Sequence, residues 1–304
     1  MQYLNTKELI QFELDQIENR KNGYVSYVSS GFESLDVSLG GNGFENGKIS
    51  IIAGRPGMGS TMVSLNILVK QIAQTKEDEI VILILNKQNT RTVFQRILGV
   101  AHEIEIKKIQ NYQLDDNQLH AIKNGFISNQ IEKSLIIIDN IQAGIKGLDN
   151  LINALMRKGK KVKQLFIDSY HNLIIESSET INLGIEETLS YLKSVSFKFS
   201  FPVLLSTSVS RSLESRKGVK IPKLNDVIGS KYFAEYVDFV YVLYRSNYYE
   251  LDTKVDEELN QLQLFCKKNI YGNIGVIDFT YSLEFQKIDS IDYSLNMNSN
   301  TNKV

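Results

Sequence analysis

Eight consecutive residues, Gly54-Arg55-Pro56-Gly57-Met58-Gly59-Ser60-Thr61, have the spacing that cradles a phosphate. The glycines stand where the G-x-x-x-x-G-K-[ST] pattern needs them, and Thr61 fills its magnesium-binding hydroxyl position. Ser60 occupies the place of the lysine. A strand that empties into a glycine-rich turn and then a helix presents backbone N–H groups to an anion. The apolar run Ile49 to Ala53, the loop and a helix from Thr61 to Gln74 follow in that order. A glycine-rich turn with no ligand has the same local signature. The missing lysine normally reaches the β- and γ-phosphates as a point charge. Loss of one charge-assisted hydrogen bond costs about 1.5–3 kcal/mol, roughly one to two decades of affinity. Weak binding of ATP and Mg2+ survives that loss; efficient phosphoryl transfer does not.

A second acidic feature lies downstream. Leu165-Phe166-Ile167-Asp168 is an apolar strand that ends on a carboxylate, the context of an aspartate that holds magnesium through water. An aspartate that only caps a strand end looks alike, but the upstream loop favours the magnesium role. Asp139 follows Leu135 to Ile138 and reads as a strand terminus. His102, His120 and His171 are scattered and lack ligand spacing, so structural zinc is not expected. Cys266 is the sole cysteine, which excludes an intramolecular disulfide and fits a reducing cytoplasm. It reads as a small buried apolar residue on a strand.

The elements that must carry these residues alternate along the chain. An amphipathic helix is expected over Thr6 to Arg20, capped by Thr6, with Leu9, Ile10, Phe12, Leu14 and Ile17 apolar. Tyr24 to Ser30 reads as an extended linker. Strands are predicted at Ile49–Ala53, Ile80–Leu85, Leu135–Asp139, Gln164–Asp168 and Pro202–Ser206, most of them unbroken apolar runs of the kind buried on both faces of a parallel sheet. Helices fall after Thr61 and at Thr90–Glu103, Asp115–Asn129, Asp149–Lys158 and Gly184–Lys198. Phe239–Tyr244, Leu262–Lys267 and Gly275–Tyr281 read as a closing antiparallel meander. The Asn- and Ser-rich tail after Ile291 is expected to be disordered.

The expectation is therefore an α/β protein: a linker helix and linker over residues 1–30, one domain over 31–290 and a tail over 291–304. Its 304 residues suffice for a full-sized core. A net charge of -1 excludes a polycation, so any nucleic-acid contact must come from a local basic patch. Met1-Gln2-Tyr3-Leu4 opens no charged region followed by an apolar run, and no apolar stretch approaches the roughly 20 residues that span a bilayer. A cytoplasmic protein without a membrane partner is expected.

Taken together, these elements resemble the ATPase domain of DnaB-type replicative helicases, a RecA-like fold. Arg55-Pro56-Gly57-Met58-Gly59 is close to that family's phosphate loop, which is more specific than the general pattern. Gly31-Phe32-Glu33-Ser34-Leu35-Asp36 resembles its sequence ahead of the first core strand, and Gln113-Leu114-Asp115-Asp116 recurs at a matching distance. Ser210-Arg211-Ser212-Leu213-Glu214-Ser215-Arg216, Asp238 through Leu243-Tyr244-Arg245, and Gly272-Asn273-Ile274-Gly275 match later segments. The resemblance covers roughly residues 6 to 288. It implies a RecA-like P-loop core with a mostly parallel central sheet, helices on both faces and antiparallel C-terminal strands. The helical collar domain through which such helicases bind primase has no counterpart in these residues.

The resemblance also implies roles that this sequence alters. Beside Ser60, Asn86 stands where a glutamate would polarise the attacking water; an asparagine orients a water but cannot take its proton. Ile270 aligns with the arginine finger that a neighbouring subunit would insert, while Lys268 keeps the accompanying lysine. Thr207 or Ser208 replaces a sensor glutamine. A general base is worth roughly 10²–10⁴ in rate and an arginine finger about 10³–10⁵. In the DNA-contacting loop, Asp226-Val227-Ile228-Gly229-Ser230-Lys231, the family's arginine has become Ile228. Arg211, Arg216, Lys217, Lys220, Lys223 and Lys231 remain as a basic cluster that either follows a single-stranded DNA backbone or is simply solvated. The N-terminal helix either knits a ring by packing on the next subunit or folds back on its own domain.

Two readings follow. In one, the chain is a catalytically impaired relative that acts in a homo-oligomer, in a hetero-assembly with a replicative helicase, or on single-stranded DNA. In the other it is a working ATP-dependent helicase in which Lys48, Lys87 or Lys268 supplies the cation and Glu45 or another acid the base.

Overall fold

The computed structural model describes residues 5–21, 27–86, 89–139, 147–170, 181–218, 220–248 and 260–291. The expected N-terminal helix is α1 (Thr6–Lys21), but its cap is Asn5. The Asn5 Oδ1 accepts hydrogen bonds from the backbone N–H groups of Lys7 (2.8 Å) and Glu8 (3.1 Å), so the better capping residue one position earlier takes the role. Leu9, Ile10, Leu14 and Ile17 are all exposed on this helix. Part of the expected linker is instead a small ribbon. β1 (Tyr27–Val28) and β2 (Phe44–Glu45) pair antiparallel around α2 (Glu33–Ser38). Residues 22–26, the segment after 291, His171 and Lys87 lie outside the described residues.

β3 (Ile49–Gly54), α3 (Ser60–Ile72), β4 (Glu79–Leu85), α4 (Thr90–His102) and the short α5 (Ile106–Gln110) come next. The single helix expected over Asp115–Asn129 is two, α6 (Asp116–Asn124) and α7 (Phe126–Ser134). Gly125 between them is extended (φ -64°, ψ 149°), and a Cβ there would come within 2.4 Å of the Ala121 carbonyl oxygen. That approach is open only to glycine, which is also a poor helix interior residue. β5 (Leu135–Asp139), α8 (Leu148–Arg157), β6 (Lys161–Asp168), α9 (Ile181–Phe199), β7 (Val203–Ser208) and α10 (Phe233–Tyr236) precede the C-terminal strands β8 (Phe239–Tyr244), β9 (Gln261–Asn269), β10 (Val276–Ser282) and β11 (Lys287–Ser290).

Nine strands form one sheet in the order β11-β10-β9-β8-β3-β7-β6-β4-β5. β8, β9, β10 and β11 run antiparallel one to the next, the closing meander expected from the sequence, and β8 also lies parallel to β3, which joins that meander to the parallel part of the sheet. The unbroken apolar run of β8, Phe239-Val240-Tyr241-Val242-Leu243, is what a central strand covered on both faces requires. β11 carries almost no apolar signal, since only Ile288 is buried. β5 is an edge strand and only half-buried.

Alternating strand residues feed two cores. Ile52, Val81, Leu83, Phe166, Leu204 and Tyr241 belong to the face covered by α3, α4 and α7. Ile51, Ile82, Ile84, Leu165, Ile167 and Leu205 belong to the face covered by α8 and α9. Truncating any such fully buried isoleucine to alanine costs about 2–5 kcal/mol. Cys266 is buried on β9, as expected. Burial pushes its thiol pKa up, which leaves it unreactive. Among the described residues, no helix is long and apolar enough to cross a membrane.

Candidate functional site

The carboxyl ends of β3, β6 and β7 meet at one edge of the sheet, where parallel α/β sheets bind ligands. They border a cleft of about 380 Å3 that the Gly54–Thr61 loop also lines. Gly59, the residue that caps α3, has φ 110°, and Gly57 has φ 86°; side chains rarely adopt this left-handed backbone. The thirteen-residue α3 then offers its unpaired first-turn N–H groups and the positive end of its dipole to the cleft. The loop's own arginine is spoken for. Arg55 donates from Nε to Glu214 Oε1 (3.0 Å) and from one terminal nitrogen to the Val209 carbonyl (2.9 Å), and its other terminal nitrogen also bonds Glu214. It is buried, and it ties the loop to the segment after β7. Ser60 sits close over the start of the loop, its Oγ 2.7 Å from where a Cβ on Gly54 would be.

Thr61 and Asp168 meet across the cleft. The Thr61 hydroxyl donates to Asp168 Oδ2 at 2.7 Å, and Ser206 donates to Asp168 Oδ1. Asp168 is buried at the end of β6. A hydroxyl and a carboxylate oxygen side by side are hard oxygen ligands that suit magnesium, which keeps several waters and favours phosphate partners. The pair therefore fits a magnesium ion, which when bound would neutralise phosphate charge; the lysine's contribution is missing.

Positions singled out by sequence divide into two groups. Ser208 and Thr207, at the end of β7, line the cleft with the loop, Thr61 and Asp168. Asn86 and Ile270 do not. Asn86 ends β4, where its backbone N–H donates to the Asp168 carbonyl (2.9 Å). Ile270 is exposed beyond β9, beside exposed Tyr271 and Ile274. The proposed replacement cations lie elsewhere too. Lys48 is 3.6 Å from Asp238, and Lys268 donates to the carbonyls of Phe233, Ala234 and Val237 at the end of α10. Glu45, the suggested substitute base, accepts a hydrogen bond from the Tyr271 hydroxyl.

The structure instead brings Arg96 and Arg245 to the cleft. Arg96, on α4, donates from Nε to Gln286 Oε1 (3.0 Å). Burial pushes its pKa down and Asp168 pulls it up, the first effect being the larger; a guanidinium stays charged regardless. Arg245, just past β8, reaches the Gly57 carbonyl (3.3 Å) and the Tyr281 hydroxyl (2.6 Å), and stacks on the Tyr281 ring at 4.2 Å. Sequence reading missed both roles. The one available signal was Arg245 closing an apolar strand, as Asp168 closes β6.

The basic cluster is only partly available. Arg216 is clasped by Asp226 through both carboxylate oxygens (2.7 and 2.8 Å) and also reaches the Ile221 carbonyl (3.3 Å). It pins its own loop, so part of its charge is committed to Asp226. Arg211, Lys217 and Lys223 are exposed, as is Lys231, whose ammonium lies 4.6 Å from the Tyr232 ring centre. Lys220 is partly covered.

A mostly parallel sheet with helices on both faces, a glycine loop opening a helix and a strand-end aspartate beside it define a RecA-like P-loop domain. The ATPase domain of G40P has this fold, with a TM-score of 0.78 at 20% identity over 93% of this chain and 99% of that one. A DnaB-like replicative helicase, solved with its interactions with primase, also superposes at 0.78 with 21% identity, over 96% of this chain and 68% of that one. Residues 27–290 match the DnaB-like helicase C terminal domain family, and the chain belongs to it. Relatives include a probable replicative DNA helicase of Trieres chinensis, 29% identical over 88% of this chain and 58% of that protein. The replicative DNA helicase DnaC of Bacillus subtilis (strain 168) is 25% identical over 92% and 60%. The chain thus spans about three fifths of the length of these relatives.

Proposed function

We propose that this chain serves DNA replication as a catalytically impaired member of its family, binding ATP and Mg2+ weakly and acting through assembly with helicase subunits or through single-stranded DNA. The observation that carries this reading is the lining of the cleft. Among the described residues, Asp168 is its sole carboxylate, and that carboxylate is held by Thr61 and Ser206. Among the described residues, no second acid lines the cleft to take a proton from water. The chemistry therefore lacks the general base worth roughly 10²–10⁴ in rate, and Ile270 lacks the charge that a neighbour's site would receive. Thr61 and Asp168 hold the metal, the loop and α3 take the phosphates, and Thr207 and Ser208 close the side toward β7.

Steady-state ATPase with and without single-stranded DNA tests the impairment: turnover near 1 s⁻¹ or faster, the low end of typical enzymes, refutes it. The assembly role rests on α1, whose Leu9, Ile10, Leu14 and Ile17 are exposed in the single chain and gain from burial against a neighbour. Mass in solution, alone, with ATP, and with a replicative helicase, checks it; a monomer under every condition removes it. DNA contact falls to Arg211, Lys217, Lys220 and Lys231, and should weaken steeply with salt.

The alternative, an active ATP-dependent helicase with non-standard residues, draws support from Arg96 and Arg245 in the cleft. They supply cations but not a base.

A further inference from the structure

We propose that Arg96 and Arg245 are the cations that grip the phosphate chain in place of the missing lysine; this rests on the nucleotide-cradle reading above. Both line the cleft beside the loop, one from α4 and the other from the end of β8. Both are steadied by the hairpin of β10 and β11, Arg96 through Gln286 and Arg245 through Tyr281. Arg245 sits at the loop, against the Gly57 carbonyl, and Arg96 sits near enough to Asp168 for their charges to interact.

Each has donors to spare. Among the described residues, Arg96 uses only Nε, on Gln286, which leaves both terminal nitrogens for a ligand. Among the described residues the buried Arg245 Nε has no partner, and the bond from a terminal nitrogen to the Gly57 carbonyl is long at 3.3 Å. An orphaned buried donor on a charged group costs free energy in the empty protein, and an incoming phosphate oxygen relieves that cost. A guanidinium also presents a planar fork that matches a phosphate's oxygens. Charge count points the same way. Glu214 cancels Arg55 and Ser60 contributes none, so these two arginines are the net positive charge that faces Asp168. The ligand class is a nucleoside polyphosphate, cradled by the loop and the start of α3 and held by side-chain charge from these two arginines, not from the lysine position.

The test measures ATP–magnesium binding by calorimetry on the full 304-residue chain, comparing wild type with Arg96→Met, Arg245→Met and the double variant. Each single change should weaken binding roughly 10- to 100-fold, the equivalent of one charge-assisted hydrogen bond. Melting temperatures of the double variant and wild type, measured without ATP, should agree within about 2 °C while binding falls, which a merely structural role for the arginines would not allow. Arg96→Lys and Arg245→Lys, measured in parallel, keep charge and length and should stay within about tenfold of wild type; they carry the test if a methionine variant does not fold. Measurable wild-type binding with both arginine positions indifferent to substitution overturns the assignment and leaves the cradle standing. No wild-type binding at millimolar ATP overturns the cradle and the assignment together.

Discussion

Substituting Asp168 with asparagine separates the metal from the phosphate in this cleft. The amide is nearly isosteric: its oxygen accepts from one of the Thr61 and Ser206 hydroxyls that now donate to the carboxylate, and its nitrogen donates to the other, whose hydroxyl turns to accept. The fold should therefore persist while one negative charge disappears. Asp168 and a phosphate on the loop would face each other across the ion and its waters, a separation of at least about 4 Å. Without the ion, two unit charges about 4 Å apart repel by about 4 kcal/mol at an effective dielectric of about 20. Solvent in an open cleft reduces this to about 1–3 kcal/mol, a factor of roughly 5 to 150. Two effects of opposite sign follow. In EDTA, Asp168→Asn should bind ATP more tightly than wild type by that factor. In millimolar magnesium the wild type should tighten and the variant should not, since its metal ligand has lost its charge. Titration of a fluorescent ATP analogue in EDTA and in magnesium measures both. An equal magnesium effect in the two proteins, or no gain for the variant in EDTA, refutes the geometry inferred from the 2.7 Å Thr61–Asp168 contact.

Ser60→Lys alone should raise ATP affinity about 10- to 100-fold yet leave turnover below about 1 s⁻¹, because Asn86 still supplies no base; restored turnover would sink the account of impairment. Asp238 accepts from the Ile49 N–H (2.8 Å) and from Lys193 (2.5 Å), with Lys48 at 3.6 Å. Asp238→Ala strands that N–H and should cost about 2 kcal/mol, the lysines being free to turn to water. Thermal melting should fall by roughly 5 °C, and a shift under 1 °C contradicts the role. Burial pushes the Asp226 carboxyl up, but the Lys223 N–H and Arg216 outweigh it and hold the pKa below its usual value. A carboxylate lowered on folding stabilises fully above its unfolded value, near 3.9, and loses that contribution as pH falls. Amide exchange around residues 210–228 should therefore accelerate relative to its intrinsic rate below about pH 4; loosening on the alkaline side instead would contradict the clasp.

The parts of this fold that the sequence exposes are those where one physical effect dominates. β3, β4 and β6 are continuous apolar runs because both faces are covered, and nothing else in a soluble chain needs such runs. The loop from Gly54 to Thr61 is readable because left-handed backbone at Gly57 and Gly59 leaves little choice of residue. What escaped depended on tertiary partners. The pairing of β8 with β3, which joins the closing meander to the parallel strands, is set by its neighbours and not by its own residues. β11 gains its place through a ladder with β10 and through Asn66, whose Oδ1 accepts from the Ile288 N–H (3.1 Å). Arg96 and Arg216 look alike in sequence. Only their neighbours, Asp168 and Asp226, send one toward the cleft and commit the other to its own loop.

The same neighbours explain which family positions departed and which persisted. Arg55, Thr61 and Asp168, which the sequence resemblance carries over unchanged, are each wired into the fold: Arg55 to Glu214 and Val209, Thr61 to Asp168, and Asp168 also to Ser206. Replacing any of them strands a buried group at a cost of about 1–3 kcal/mol. Ser60, Asn86 and Ile270 hold positions where the fold asks little of the side chain. Ile270 is exposed, and Asn86 is anchored through its backbone N–H. Retention of the Thr61–Asp168 pair is therefore accounted for by stability alone. Arg96 and Arg245 are different, because Arg245 keeps a buried nitrogen without a partner and Arg96 leaves two terminal nitrogens unused among the described residues. An orphaned buried donor is not favoured by stability, so on the proposal above Arg245 is accounted for by an anion that enters the cleft and not by the fold alone.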